Sequence, residues 1–116
     1  MSELVYKISS CDAWQQAIAA GVYDGAPVDH HDGFIHFSTA QQVVETASKH
    51  FAGQDDLVLV AVESSRLGDA LKWEPSRGGD LFPHLYGTLP VDAARSVSPL
   101  PLGPEGEHVF PEGVLP

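Results

Sequence analysis

Two segments place an imidazole at the centre of an aromatic run. Residues 33–39 read GFIHFST and residues 81–87 read LFPHLYG. Side chains alternate across a strand. Phe34, His36 and Ser38 therefore share one face of the first segment, and Phe82, His84 and Tyr86 share one face of the second. Ile35, Phe37 and Thr39, and likewise Leu81 and Leu85, take the opposite faces. If the two strands are neighbours, His36 and His84 face one cleft. Two neutral histidines there can bind and polarise a substrate, or act as acid and base near neutral pH. The aromatics offer stacking surface to a planar ring. The competing reading for each histidine is a buried ring bonded to a backbone carbonyl, with Ser38 merely helping to cap a helix.

A third segment, LKWEPSRGGD, adds Glu74 and Arg77. Leu71 and Trp73 alternate inward, so Lys72 and Glu74 point the other way. Glu74 is either a catalytic carboxylate or a solvated rim residue. Arg77, followed by Gly78 and Gly79, suits a phosphate, because glycines let backbone approach closely. His30, His31, Asp32 and His36 are metal-capable, but adjacent residues point apart and no helical i, i+4 pair of ligands is offered. No metal is expected. His50 and His108 read as structural or exposed. The single cysteine, Cys11, allows no internal disulfide and reads as half-buried and inert.

These residues need elements to hold them. LVYKI (4–8) reads as a first strand. Ser9 and Asp12 have capping-box spacing, Ala13, Trp14, Ala17 and Ile18 share a helical face, and Gly21 is a suitable stop. Residues 23–33 read as a polar loop. FIHFS (34–38) is a strand that runs into a helix capped by Thr39 and Gln42. Ala40, Val43, Val44, Ala47 and Phe51 form that helix's buried face, and Gly53 ends it. Its start offers unpaired N–H groups beside the His36 strand, which suits an anion. DLVLVAVE (56–63) is apolar at nearly every position, so it is expected at the centre of a sheet, covered on both faces. Residues 70–75, 81–89 and 93–100 complete the strands, with Pro83 marking an edge or a bulge. About six strands and two main helices, with the strands clustered late, indicate an α+β fold.

The 116 residues make one domain. Its expected extent is 1–100. Five of the nine prolines lie from Pro99 onward, so 101–116 reads as an extended Pro/Gly-rich tail, laid on the domain through Leu102, Val109 and Phe110 or trailing from it. The formal charge is −10, from 16 acids against 6 bases. The bases are scattered, which disfavours a nucleic-acid partner. There is no signal-peptide pattern and no run long enough to span a membrane. The expectation is a cytoplasmic protein with a small-molecule ligand and room for a protein partner.

YKI, W..A...G, DGFIHFST..Q, WE and FPHLYG follow one another here as in the bacterial domain-of-unknown-function family 952, which the chain resembles over roughly residues 4–100. That family is grouped with the ADP-ribosyltransferase-like fold, a split, mostly antiparallel sheet whose cleft binds NAD. The resemblance therefore implies that fold, and NAD as substrate or ligand. It makes His36, His84 and Glu74 the candidate catalytic residues. It makes Phe34, Ser38, Thr39, Arg77, Phe82 and Tyr86 the candidate ligand contacts. Lys7 stands where that fold commonly carries a histidine or arginine. The alternatives are a non-catalytic module that binds a small ligand or protein, and a two-histidine phosphoesterase. HFS at 36–38 fits half of the latter's H-x-[ST] signature, and HLY at 84–86 only approximates the other half.

Overall fold

The computed structural model describes residues 3–111, except for the side chain of Arg77. It is an α+β arrangement of eight strands and three α-helices, and every strand pairing is antiparallel. No helix among the described residues is long and apolar enough to cross a membrane.

Strand β4 (Leu57–Glu63) lies between β1 (Leu4–Ser10) and β8 (Ala94–Pro99). Its unbroken apolar sequence reflects burial on both faces. Val58, Val60 and Val62 enter one core with Val5, Trp14, Ile35, Phe37 and Leu85. Leu57, Leu59 and Ala61 enter a second core with Val43, Ala47 and Leu100. Helix α1 (Cys11–Ala20) supplies Trp14 and Ala17 to the first core, and α3 (Ala40–His50) supplies Val43 and Ala47 to the second. The central placement expected of residues 56–63 holds.

A second sheet has the order β3-β6-β5, from Ile35–His36, Leu81–Leu85 and Leu71–Pro75. A small pair, β2 (Val22–Tyr23) with β7 (Leu89–Pro90), closes the end of α1. The two larger sheets meet at one bridge. Tyr6 N–H donates to Ser38 O at 2.7 Å, and Ser38 N–H donates to Tyr6 O at 2.9 Å. Beyond this bridge the edge of β1 parts from the second sheet.

Several expectations need correction. The cap of α1 is Ser10, whose hydroxyl accepts from Ala13 N–H at 3.1 Å. Ser9 is still strand and is buried. Residues 23–33 are not a plain loop: they hold the end of β2 and helix α2 (Pro27–Asp32), which starts with proline at its first position and ends at Gly33 in the left-handed region, φ 87°. Ile18 and Val44 lie at the rims of their helical faces and are exposed, and Trp73 is also exposed, not turned inward. Pro83 sits in the central strand of its sheet, not at an edge. Its carbonyl accepts from Phe37 N–H at 2.9 Å, so its ring nitrogen faces the same way. That nitrogen carries no proton to return a bond to Phe37 O, and the β3–β6 ladder ends there after two residue pairs.

Within the tail region, Leu102 and His108 form a bridge, His108 Nε2 lies 2.9 Å from Gln54 O, and Phe110 packs on the second core. Val109 is exposed. Residues 112–116 lie outside the described residues.

Candidate functional site

The β3–β6 register decides the site. His36 and His84 are direct cross-strand partners, and their ring centroids lie 5.6 Å apart. Phe34, two residues before His36, stacks on His84 with centroids 4.0 Å apart. It also touches His36 and Tyr86. The two aromatic–imidazole rows therefore form one continuous face.

Each imidazole is bound by carboxylate. His84 is buried, and its Nδ1 lies 2.8 Å from Glu74 Oε1. The Tyr86 hydroxyl donates to the same oxygen at 2.7 Å. Hydrogen bonds from His84 and Tyr86 hold Glu74 below the ordinary carboxylate range, and the shared carboxylate raises Tyr86. With Nδ1–H donating to Glu74, the His84 Nε2 is left as the free ring position.

His36 has two acidic partners, both from α2. Its Nδ1 lies 2.6 Å from Asp29 Oδ1, and its Nε2 lies 2.9 Å from Asp32 Oδ2. Asp29 is the anchor of the whole corner, and its side chain is 1% exposed. It takes hydrogen bonds from His36 N–H at 3.1 Å and Ala26 N–H at 2.7 Å, and it pairs with Lys7 Nζ at 2.9 Å. Burial alone would raise its pKa. The His36 bond and the Lys7 charge outweigh that, and Asp29 lies well below the carboxylate range. Burial lowers Lys7, and Asp29 offsets part of that shift. Gly25 makes room for this carboxylate: a Cβ there would sit 2.9 Å from Asp29 Cβ.

The histidines line a cavity of about 730 Å³ along the parted edge of β1. Tyr6, Lys7, Phe37, Ser38 and Phe82 also line it. Glu74 and Tyr86 are more than a third exposed and are not among the residues that line it, whereas Lys7, Ser9 and Tyr23 line it and are buried.

The structure thus brings together His36, His84, Glu74, Phe34 and Tyr86, with Phe82 on the cavity wall. Ser38 is buried, and its hydroxyl is bonded to that of Thr46 at 2.9 Å. Thr39 serves the start of α3: its N–H donates to Gln42 Oε1 at 3.0 Å. Gly78 and Gly79 both have positive φ, while the Arg77 side chain lies outside the described residues. Among the described residues, no three metal-capable groups are arranged to hold an ion. Asp29 was not singled out from the sequence. Its signal was Pro27 at a helix start, an acid two residues later, and Gly33 as the stop.

The chain matches the family described as "Protein of unknown function (DUF952)" over residues 8–97. No curated protein matches it. It is similar to protein CC0527 from Caulobacter crescentus. Against a crystal structure of that protein the TM-score is 0.92, at 47% identity over 96% of this chain and 97% of that one. Against a solution NMR structure of it, the TM-score is 0.82, at 50% identity over 90% of each chain.

Proposed function

We propose, for a chain that belongs to the DUF952 family, that the cleft at His36 and His84 binds and processes NAD, ADP-ribose or a related nucleotide. The observation that carries this reading is the cross-strand pair of histidines, each fixed by a carboxylate, on the wall of a cavity that also presents aromatic surface. The parting of two antiparallel sheets at the Tyr6–Ser38 bridge supports an ADP-ribosyltransferase-like arrangement.

In this reading Phe82 and Tyr86 stack on a planar ring. His36 binds a ribose hydroxyl once Asp32 gives way. Glu74 faces the cationic ribose that develops as the glycosidic C–N bond breaks and nicotinamide departs with the electron pair. An acceptor hydroxyl or water then bonds to that carbon, and His84 Nε2 takes its proton. The orienting carboxylate on Nδ1 is what such a base requires. The cytoplasm is the compartment that fits an NAD-dependent role.

The cross-strand placement also favours a second reading, a two-histidine phosphoesterase. Product analysis separates them: released nicotinamide supports the first, and a cleaved phosphodiester supports the second. A thermal-shift series with NAD, ADP-ribose and AMP tests binding. A ligand at about 100 times its dissociation constant adds roughly 2.7 kcal/mol. The shift is expected with NAD or ADP-ribose and should vanish in His36→Ala and His84→Ala proteins that remain folded. No shift with any nucleotide would overturn the reading and favour a module for a protein partner.

A further inference from the structure

The second sheet ends in an uncovered strand. β5 is its outer member, and among the described residues no strand pairs with its free side. Pro83 turns its backbone toward β3, where its carbonyl accepts from Phe37 N–H. Trp73 is the cross-strand partner of Pro83 on β5. The Trp73 N–H and C=O therefore point away from β6, out of the sheet edge. Among the described residues they are the one complete donor and acceptor pair on that edge of β5. Leu71 N–H already donates to Gly68 O, and Pro75 has no N–H. The Trp73 side chain is 40% exposed, and Leu81, on the same face, is 52% exposed. That face starts in the first core at Leu85 and is bare at Trp73, Pro75 and Leu81. An open edge with exposed apolar side chains is a template for another strand.

We propose that the occupant of this edge is a second copy of the chain, with β5 pairing antiparallel to β5 about a two-fold axis at Trp73. The order Leu71-Lys72-Trp73-Glu74-Pro75 is self-complementary in that register. Trp73 faces Trp73, and the two exchange both of their N–H···O bonds. Lys72 of each copy faces Glu74 of the other at the closely spaced, non-hydrogen-bonded positions, where opposite charges attract. The neighbouring registers are penalised. A slip of two residues in one direction sets Lys72 against Lys72, and in the other it sets Glu74 against Glu74. Each slip also breaks the Trp73 exchange. The paired sheet has six strands, three from each copy, with both histidine faces on one side. Glu74 is the carboxylate that holds His84 and Tyr86, so each copy sets a lysine beside the other's site. The contact is one five-residue strand from each copy, which makes the dimer weak and reversible.

The test is sedimentation velocity of the full chain from micromolar to millimolar concentration, in physiological salt that screens the −10 charge of each copy. A reversible monomer–dimer equilibrium is expected. Lys72→Glu should weaken it at least tenfold, because it places like charges opposite each other. Lys72 is exposed, so the variant should keep its melting temperature. Cross-linking then reads the register, in a Cys11→Ser background that removes the one native thiol. Trp73→Cys should give a disulfide-linked dimer under mild oxidation. Lys72→Cys should give far less, because its two copies lie diagonally, beyond disulfide reach. A monomer at every concentration would overturn the proposal and leave the edge to a different protein. A dimer that Lys72→Glu does not weaken, or equal cross-linking by the two cysteine variants, would place the contact elsewhere and overturn it as well. None of these measurements uses a nucleotide, so failure here leaves the His36 and His84 tests intact, and the converse also holds.

Discussion

At the scale of single residues, Asp29 controls the site. It joins the buried cation of Lys7 to the ring of His36. Asp29→Asn strands that cation, and breaking a buried pair costs about 3–5 kcal/mol, read as a lower denaturation midpoint. The same carboxylate sets the acid limb of stability. Its folded pKa is depressed relative to the unfolded value, about 3.9 for aspartate. Its contribution is therefore complete above that value and is lost as pH falls below it toward the folded pKa. Asp29→Asn should flatten the stability–pH profile below about pH 5, and an unchanged profile would show that other carboxylates dominate it. Asp32 has the opposite character. It is partly exposed and occupies His36 Nε2, where it competes with a ligand. Asp32→Ala should tighten nucleotide binding severalfold in calorimetry, and weaker binding would make Asp32 a ligand contact. The histidines were legible in the sequence because strand alternation fixes their faces. Asp29 was not, because its meaning depends on Lys7, 22 residues away in the chain.

At the scale of elements, α2 carries both acidic partners of His36, so the turns that bound it should matter. Gly33 ends α2 at φ 87° with open space around it. Gly33→Ala should cost about 1–2 kcal/mol, the price of left-handed backbone for an L-residue. Gly25 has φ 114° and also faces Asp29 at 2.9 Å. Gly25→Ala should cost more than Gly33→Ala and should weaken ligand binding as well, since it displaces the carboxylate that orients His36. Equal costs in chemical denaturation would contradict the close approach. The long elements were readable from pattern: the continuous apolar run of β4, and the Thr39–Gln42 start of α3. The short ones were not. A strand of two residues, such as β2 or β3, has no period to detect. A six-residue helix inside DGAPVDHHDG is outweighed by the polar loop composition around it.

At the scale of the whole molecule, the net charge of −10 opposes an anionic ligand at long range. Salt screens that repulsion. Nucleotide affinity should therefore rise as ionic strength increases from low to physiological values, more for ADP-ribose than for NAD because it carries more negative charge. Nucleic-acid binding has the reverse dependence. A steep loss of affinity with salt would contradict a site built mainly on stacking and histidine hydrogen bonds. The α+β class was legible from the order of elements. The split between the sheets was implied by the family resemblance and not by the pattern of elements, because it depends on where the β1 edge parts from Ser38. The central claim is that His36 and His84 act together on a nucleotide. The direct measurement is a 1H–15N spectrum of the histidine side chains as ADP-ribose or NAD is added. Joint movement of the His36 and His84 ring signals, with His30, His31 and His108 unmoved, is the predicted result. Stationary His36 and His84 signals at saturating nucleotide would contradict it.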